Sequence, residues 1–189
     1  MENKFKSKRT NREFSSKMKL KLIVACDSCG NIGADNEIPW PPLKNDLRSF
    51  KNNTTAGVNP GILMGRKTWE SLKNKAPLPN RINMVLTRDR TYVANGAIVV
   101  HDVIGVLINT LRKNIDNLWV IGGHEIYKLF LPHVDEILIT KIDHIFDNCD
   151  VKFPEVNMDL FFHLIERKKF EEKNYTYFIE RWLRNSINI

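Results

Sequence analysis

Cysteine is scarce in this chain of 189 residues: Cys26, Cys29 and Cys149, an odd number at spacings that make no disulfide framework. That excludes a disulfide-stapled secreted scaffold and favours a reducing compartment. No second cysteine pair is present to complete a zinc site. Long apolar runs are missing too. Nothing approaches 18 consecutive apolar residues, so no membrane-spanning helix is predicted. Internal repeats and the Gly-x-Gly-x-x-Gly dinucleotide fingerprint are both absent.

Strong charge of one sign is lacking from most of the sequence. The net charge is +7, but residues 1–21 carry +6 of it, leaving +1 for the other 168 residues. A basic face for nucleic acid is therefore not supported. Residues 1–18 are polar and unpatterned and are expected to form a disordered basic tail. The tail resembles a transit peptide only in containing Arg and Ser. A cytoplasmic location is expected, with organellar targeting by the tail as the alternative.

What remains reads as one globular domain, 19–189. Apolar residues make up 42%, with four Trp and ten Phe, and a chain of this length buries roughly 70% of its extended surface. Strands are predicted at 20–26, 62–64, 82–87, 97–100, 118–121 and 136–142. Helices are predicted at 43–54, 67–72, 103–113 and 125–131, the third with Val103, Val106, Leu107 and Leu111 as its apolar positions. The stretches 160–170 and 175–182 alternate as a closing hairpin around Lys173-Asn174. Strands separated by helices mean a mainly parallel sheet with right-handed crossovers, here ending in an antiparallel C-terminal edge.

The most informative segment is Ile38–Thr55. A loop must run through Pro39, Pro41 and Pro42, because proline cannot continue a helix. Helical spacing then aligns Leu43, Asp46, Leu47 and Phe50 on one stripe. Asp46 is the single carboxylate on it, and an inward carboxylate requires a polar partner. Two strand–Gly–helix junctions, Leu63–Thr68 and Ile121–Tyr127, offer close backbone approach and helix N-termini suited to phosphate. Arg66 adds a guanidinium fork. Two such junctions at strand carboxyl ends fit a dinucleotide lying across the sheet. A fork of donors at Arg81, after Pro77-Leu78-Pro79-Asn80, suits a carboxylate.

Taken in order, Ala25, Ile32–Trp40, Asp46, Ile62–Leu72, Pro77–Arg81 and Trp119–Tyr127 resemble dihydrofolate reductase, over about Lys19 to Leu183. The Pro-Pro after Trp40 is similar to the eukaryotic-type members. The resemblance implies an eight-stranded sheet flanked by four helices. It implies reduction of 7,8-dihydrofolate to tetrahydrofolate by hydride from NADPH, supporting one-carbon metabolism and thymidylate and purine synthesis. It also implies antifolate binding, a monomer, and a substrate with or without a polyglutamate tail. No metal is implied.

By that resemblance Asp46 grips the pterin, Thr140 bonds Asp46 and the pterin, Trp40 holds an ordered water near the Asp, and Tyr127 completes the catalytic set. Ile23 and Val24 offer backbone carbonyls; Leu47, Phe50, Leu72 and Leu78 wall the benzoyl slot. Ile121 contacts the pterin beside the nicotinamide, and Arg81 receives the substrate's α-carboxylate. Ala25, Ile32, Gly33 and Asn36 meet the nicotinamide end, where Asn31–Glu37 is similar to a mobile closing loop. Gly65, Arg66, Lys67, Thr68, Leu86, Thr87, Arg88 and His101, with Gly122, Gly123, His124, Glu125, Ile126 and Tyr127, hold the cofactor's pyrophosphate and adenosine end, with a cis Gly–Gly peptide. Thr87-Arg88 carries an Arg where the family often has a hydroxyl residue, which favours a 2′-phosphate.

Three competing readings are weaker. Cys26-Asp27-Ser28-Cys29 has thioredoxin-type spacing, but Cys26 ends a predicted strand and does not open a helix, where thiolates are stabilised. The related pyrimidine reductase of riboflavin synthesis shares the fold, yet Trp40 with Asp46 argues against it. A non-catalytic binding protein of this fold would have no need of Asp46, Trp40, Thr140 and Gly122-Gly123 together.

Overall fold

The computed structural model describes residues 18–73 and 76–186. The tail expected over residues 1–18 lies outside them except for Met18, which packs against the core.

The apolar runs build the centre of the sheet. Strands β1 (Lys19–Cys26), β3 (Pro60–Gly65), β4 (Ile82–Leu86), β5 (Ile98–Val100), β6 (Asn117–Gly122) and β7 (Glu136–Ile142) pair in parallel in the order β5-β4-β3-β6-β1-β7. A hairpin of β9 (Phe162–Glu172) and β10 (Tyr175–Arg184) completes eight strands, β10 lying antiparallel to β7. The expected antiparallel edge is present, but the last strand lies inside it and β9 is outermost. The reason is composition: β10 buries Tyr177, Ile179 and Trp182, while β9 is largely charged and exposed, as an unpaired edge should be. Lys173 and Asn174 both take positive φ in the connecting turn, the geometry that matches strand twist in tight hairpins.

Alternation along β1 divides the core in two. Leu22, Val24 and Cys26 face one cluster with Val106, Ile126 and Phe130, from helices α3 (Val103–Arg112) and α4 (His124–Phe130). Ile23 faces the other, with Leu43 and Trp69, which border α1 (Lys44–Thr54) and lie in α2 (Arg66–Ser71). Three features depart from the sequence reading. A one-turn helix, α5 (Met158–Phe161), makes five α-helices among the described residues, and β2 (Asn31–Gly33) pairs with β8 (Val151–Lys152) in a separate ribbon. In α3 the packed face is Val103, Val106 and Thr110, whereas Leu107 and Leu111 point outward with Ile104 and Ile108. Apolar residues surround that helix, so their spacing does not select a face. Among the described residues, no helix is long and apolar enough to cross a membrane.

Candidate active site

A cleft of about 2160 Å³ runs over the carboxyl ends of the parallel strands. It exceeds the roughly 300–1,000 Å³ of a pocket for one drug-sized ligand and has room for two molecules side by side.

At one end, α1 positions a carboxylate. Leu43 is 1% exposed and anchors the start of the helix, so Asp46, on the same stripe, turns into the cleft. The required polar partner is present: Thr140 Oγ1, on β7, donates to Asp46 Oδ1 at 2.7 Å. Burial raises the Asp46 pKa, the Thr140 bond opposes the rise, and the Glu172 carboxylate adds to it. Leu47, Phe50, Leu72 and Leu78 form apolar walls; Leu47 is half exposed because it faces the cleft. Trp40 is buried against Phe146 at 5.6 Å between ring centres. Ile23, Val24, Ala25 and Ile121 form the floor.

Two of the expected site residues are held by partners within the protein. The Tyr127 hydroxyl donates to the Ile23 carbonyl at 2.9 Å, and burial pushes its pKa above the usual phenol range. The hydroxyl thereby ties α4 to β1 beneath the cleft. Arg81 is not among the cleft-lining residues. Its Nε donates to Pro79 O at 2.9 Å, its guanidinium bonds Thr54 Oγ1, and it lies 5.8 Å over the Phe50 ring. That places it just behind the wall, with burial lowering its pKa. The loop before it is shaped by Asn83, which sequence reasoning missed. Asn83 bonds Leu78 N, Leu78 O and Arg81 O, each at 2.9 Å.

At the other end both Gly junctions appear as expected. A side chain at Gly65 would place its Cβ 3.0 Å from Ile126, and one at Gly122 would meet the Tyr127 ring at 3.1 Å. The Gly122–Gly123 peptide is cis. Gly65, Arg66, Lys67, Thr68, Leu86, Thr87, Arg88, Gly123, His124, Glu125 and Ile126 line the cleft, whereas Gly122 lies behind it. His101 joins them, bonding Thr87 O through Nδ1 at 3.0 Å. The sequence reading brought Arg66 and Arg88 together at the 2′-phosphate without opposing carboxylates. The structure adds carboxylates, since Arg66 lies 4.0 Å from Glu70 and 3.8 Å from Asp89.

The middle wall combines Ile32, Gly33 and Asn36 with Cys149–Lys152, the latter missed because only strand pairing brings them near. Asp27 was missed as well. Its buried carboxylate accepts from Cys29 N at 2.9 Å, Asn31 N and Nδ2 at 2.8 Å, and Phe146 N at 3.0 Å. Burial works to raise its pKa, but these bonds win and hold it below the ordinary value. The three cysteines are unpaired. Burial pushes the Cys26 thiol up to about 11, which removes it as a thiolate nucleophile near neutral pH.

Residues 19–184 match the family described as dihydrofolate reductase. The chain is 35% identical to the dihydrofolate reductase of Staphylococcus haemolyticus over 169 residues, covering 88% of this chain and 96% of that one. It is 31% identical to that of Sus scrofa over 184 residues, 88% and 98% of the two chains. A solved structure of the Enterococcus faecalis dihydrofolate reductase, complexed with NADP(H) and RAB-propyl, superposes with a TM-score of 0.78. That comparison has 31% identity and covers 89% of this chain and 97% of the other.

Proposed function

The chain belongs to the dihydrofolate reductase family, and from that premise we propose how its cleft performs the reaction. The enzyme reduces 7,8-dihydrofolate to 5,6,7,8-tetrahydrofolate. NADPH supplies the hydride when bound. The observation that carries the proposed assignment is the Asp46–Thr140 pair, a half-buried carboxylate held at 2.7 Å by a hydroxyl and facing the cleft.

Asp46 binds the aminopyrimidone edge of the pterin, where an amino group and a ring N–H lie side by side for one carboxylate. Thr140 fixes the carboxylate's rotation, leaving Oδ2 open to the substrate. Phe50 and the leucine walls take the rings, Trp40 closes the loop side, and Arg81 receives the glutamate α-carboxylate. Protonation of N5 makes C6 the better hydride acceptor. With the Tyr127 proton committed to Ile23 O, water is the immediate donor, and Asp46 sets the pterin's orientation and electronics.

The other end suits NADPH. Gly65 and Gly123 line the cleft, so their backbone can approach the pyrophosphate closely, while Gly122 behind them leaves room for the Tyr127 ring. Arg66, Lys67, Thr68, Thr87, Arg88 and His101 meet the adenosine phosphates. The charged edge strand β9 discourages pairing with a second copy, in keeping with a monomer. Unpaired thiols suit the cytoplasm. Antifolates and polyglutamylated substrate fit the same cleft.

Purified protein with dihydrofolate and NADPH should consume the nicotinamide absorbance. A ribosylated aminopyrimidine phosphate in place of dihydrofolate should not. The opposite result would transfer the protein to riboflavin synthesis.

A further inference from the structure

Helix α1 begins without a cap of its own. Leu43 occupies the N-cap position and has no side-chain acceptor, so the first N–H groups of the helix that carries Asp46 need an outside partner. One arrives from 128 residues away. The carboxylate of Glu172, the last residue of β9, accepts from Lys44 N at 2.8 Å through Oε1 and 2.9 Å through Oε2, and approaches Asn45 N at 3.5 Å. The Tyr177 hydroxyl donates to Glu172 Oε2 at 3.1 Å. Tyr177 is fully buried and stacked on Phe170 at 5.5 Å. The hairpin therefore delivers a carboxylate whose position is set by a rigid core side chain, two residues before Asp46.

We propose that Glu172 is a positioning residue for dihydrofolate binding: held by Tyr177, it caps α1 in trans and aims Asp46 at the substrate. The proposal rests on the reading that Asp46 grips the pterin. Asp46 sits at the third position of the helix, so play in the first turn moves its carboxylate directly, and a misplaced binding group weakens substrate binding and turnover together. The ionisable groups around Asp46 are Glu172 on β9, Tyr177 on β10 and Tyr127 on α4, with Lys44 beside Glu172 on α1.

Four variants test this: Glu172→Ala, Glu172→Gln, Tyr177→Phe and Asp46→Asn. Each is measured for dihydrofolate Kd, NADPH Kd, turnover and, where Asp46 is present, the titration of its carboxyl carbon by NMR. Glu172→Ala should weaken dihydrofolate about tenfold and leave NADPH within twofold, since the cofactor end does not touch the α1 cap. Glu172→Gln keeps an acceptor oxygen for Lys44 N and should recover most of that affinity. Its Asp46 titration should nevertheless move to lower pH, because the neighbouring negative charge is gone. Tyr177→Phe should lie between parent and Glu172→Ala. Equal losses for NADPH and dihydrofolate in Glu172→Ala, or a Glu172→Gln variant as impaired as Glu172→Ala with an unmoved Asp46 titration, would overturn the proposal. If Asp46→Asn binds dihydrofolate like the parent, it is the Asp46 reading that fails.

Discussion

The two ends of the cleft are built on opposite plans. At the Asp46 end one carboxylate is half buried, bonded by Thr140 at 2.7 Å, and carried by a helix anchored on Leu43. Its geometry is fixed before any ligand arrives. At the Arg66 end, exposed cations sit at strand ends near competing carboxylates, Glu70 and Asp89. The neighbouring helix α3 leaves a stripe of aliphatic side chains in water. A desolvated end acts through one or two strong contacts that are costly to strand, while a solvated end acts through several weaker, salt-screened ones. Substitutions should therefore fall steeply on one side and gradually on the other.

The steepest effect is expected at Asp46. Asp46→Asn should keep NADPH binding and lose about a hundredfold or more in turnover at neutral pH, the scale of a positioned acid/base group. Relative activity should recover as pH falls and the substrate protonates in solution. Stability should move the other way. The folded pKa of Asp46 is raised by burial, so its charged form opposes folding above that pKa and has no effect below the unfolded value of about 3.9. Asp46→Asn should raise Tm at pH 7, with the gain vanishing towards pH 4. Near-parental turnover at neutral pH would remove Asp46 from the mechanism.

At the solvated end, replacing Arg66 and Arg88 together by Ala should weaken NADPH by about a hundredfold, since each charge-assisted contact contributes about 1.5–3 kcal/mol. Glu70 and Asp89 already draw on Arg66, so Arg66→Ala alone should cost less than Arg88→Ala. NADH, lacking the 2′-phosphate, should bind the double variant almost as it binds the parent. A double variant that still prefers NADPH as strongly as the parent would put the adenosine end elsewhere.

Arg81 lies between the two plans, partly buried against Phe50 but close to solvent. Arg81→Leu should weaken dihydrofolate by about 2 kcal/mol, the lower end for a desolvated charge pair. A pteridine without the glutamate should be reduced equally well by variant and parent. Equal losses on both substrates would make Arg81 structural.

The same contrast explains what could be read from sequence. Asp46 was legible because helical spacing put one carboxylate among Leu43, Leu47 and Phe50, and burial demanded a partner. Gly65 and Gly122-Gly123 were legible because a glycine between strand and helix is a local signal. Asp27 and Glu172 were not. Glu172 reaches Lys44 across 128 residues, and Asp27, besides its nearby bonds to Cys29 and Asn31, reaches Phe146 across 119, a link that a turn-like Asp-Ser-Cys-Gly-Asn stretch does not announce. Cys149–Lys152 entered the cleft wall only through pairing with Asn31–Gly33. The outward turn of Leu107 and Leu111 was hidden for a different reason: Val103, Ile104, Val106, Leu107, Ile108 and Leu111 surround α3, and periodicity fails where every face is apolar. Thr110, a polar residue, is buried beside Val106, its hydroxyl satisfied by Val106 O at 2.8 Å.

That helix gives the smallest effect and the sharpest check on the comparison. Leu111 is 74% exposed, so replacing it by Gln removes little packed area and leaves no cavity. Surface substitutions of this kind stay within about 0.5 kcal/mol, and Gln and Leu have nearly equal helix propensity. Leu111→Gln should therefore leave the urea midpoint and the NADPH Kd unchanged, although α3 starts at Asp102 and Val103 on the rim of the cleft. A loss above about 1 kcal/mol would show that the stripe is covered in solution. A midpoint that then varied with protein concentration would identify the cover as a second copy, and the adenosine end would no longer count as the open one.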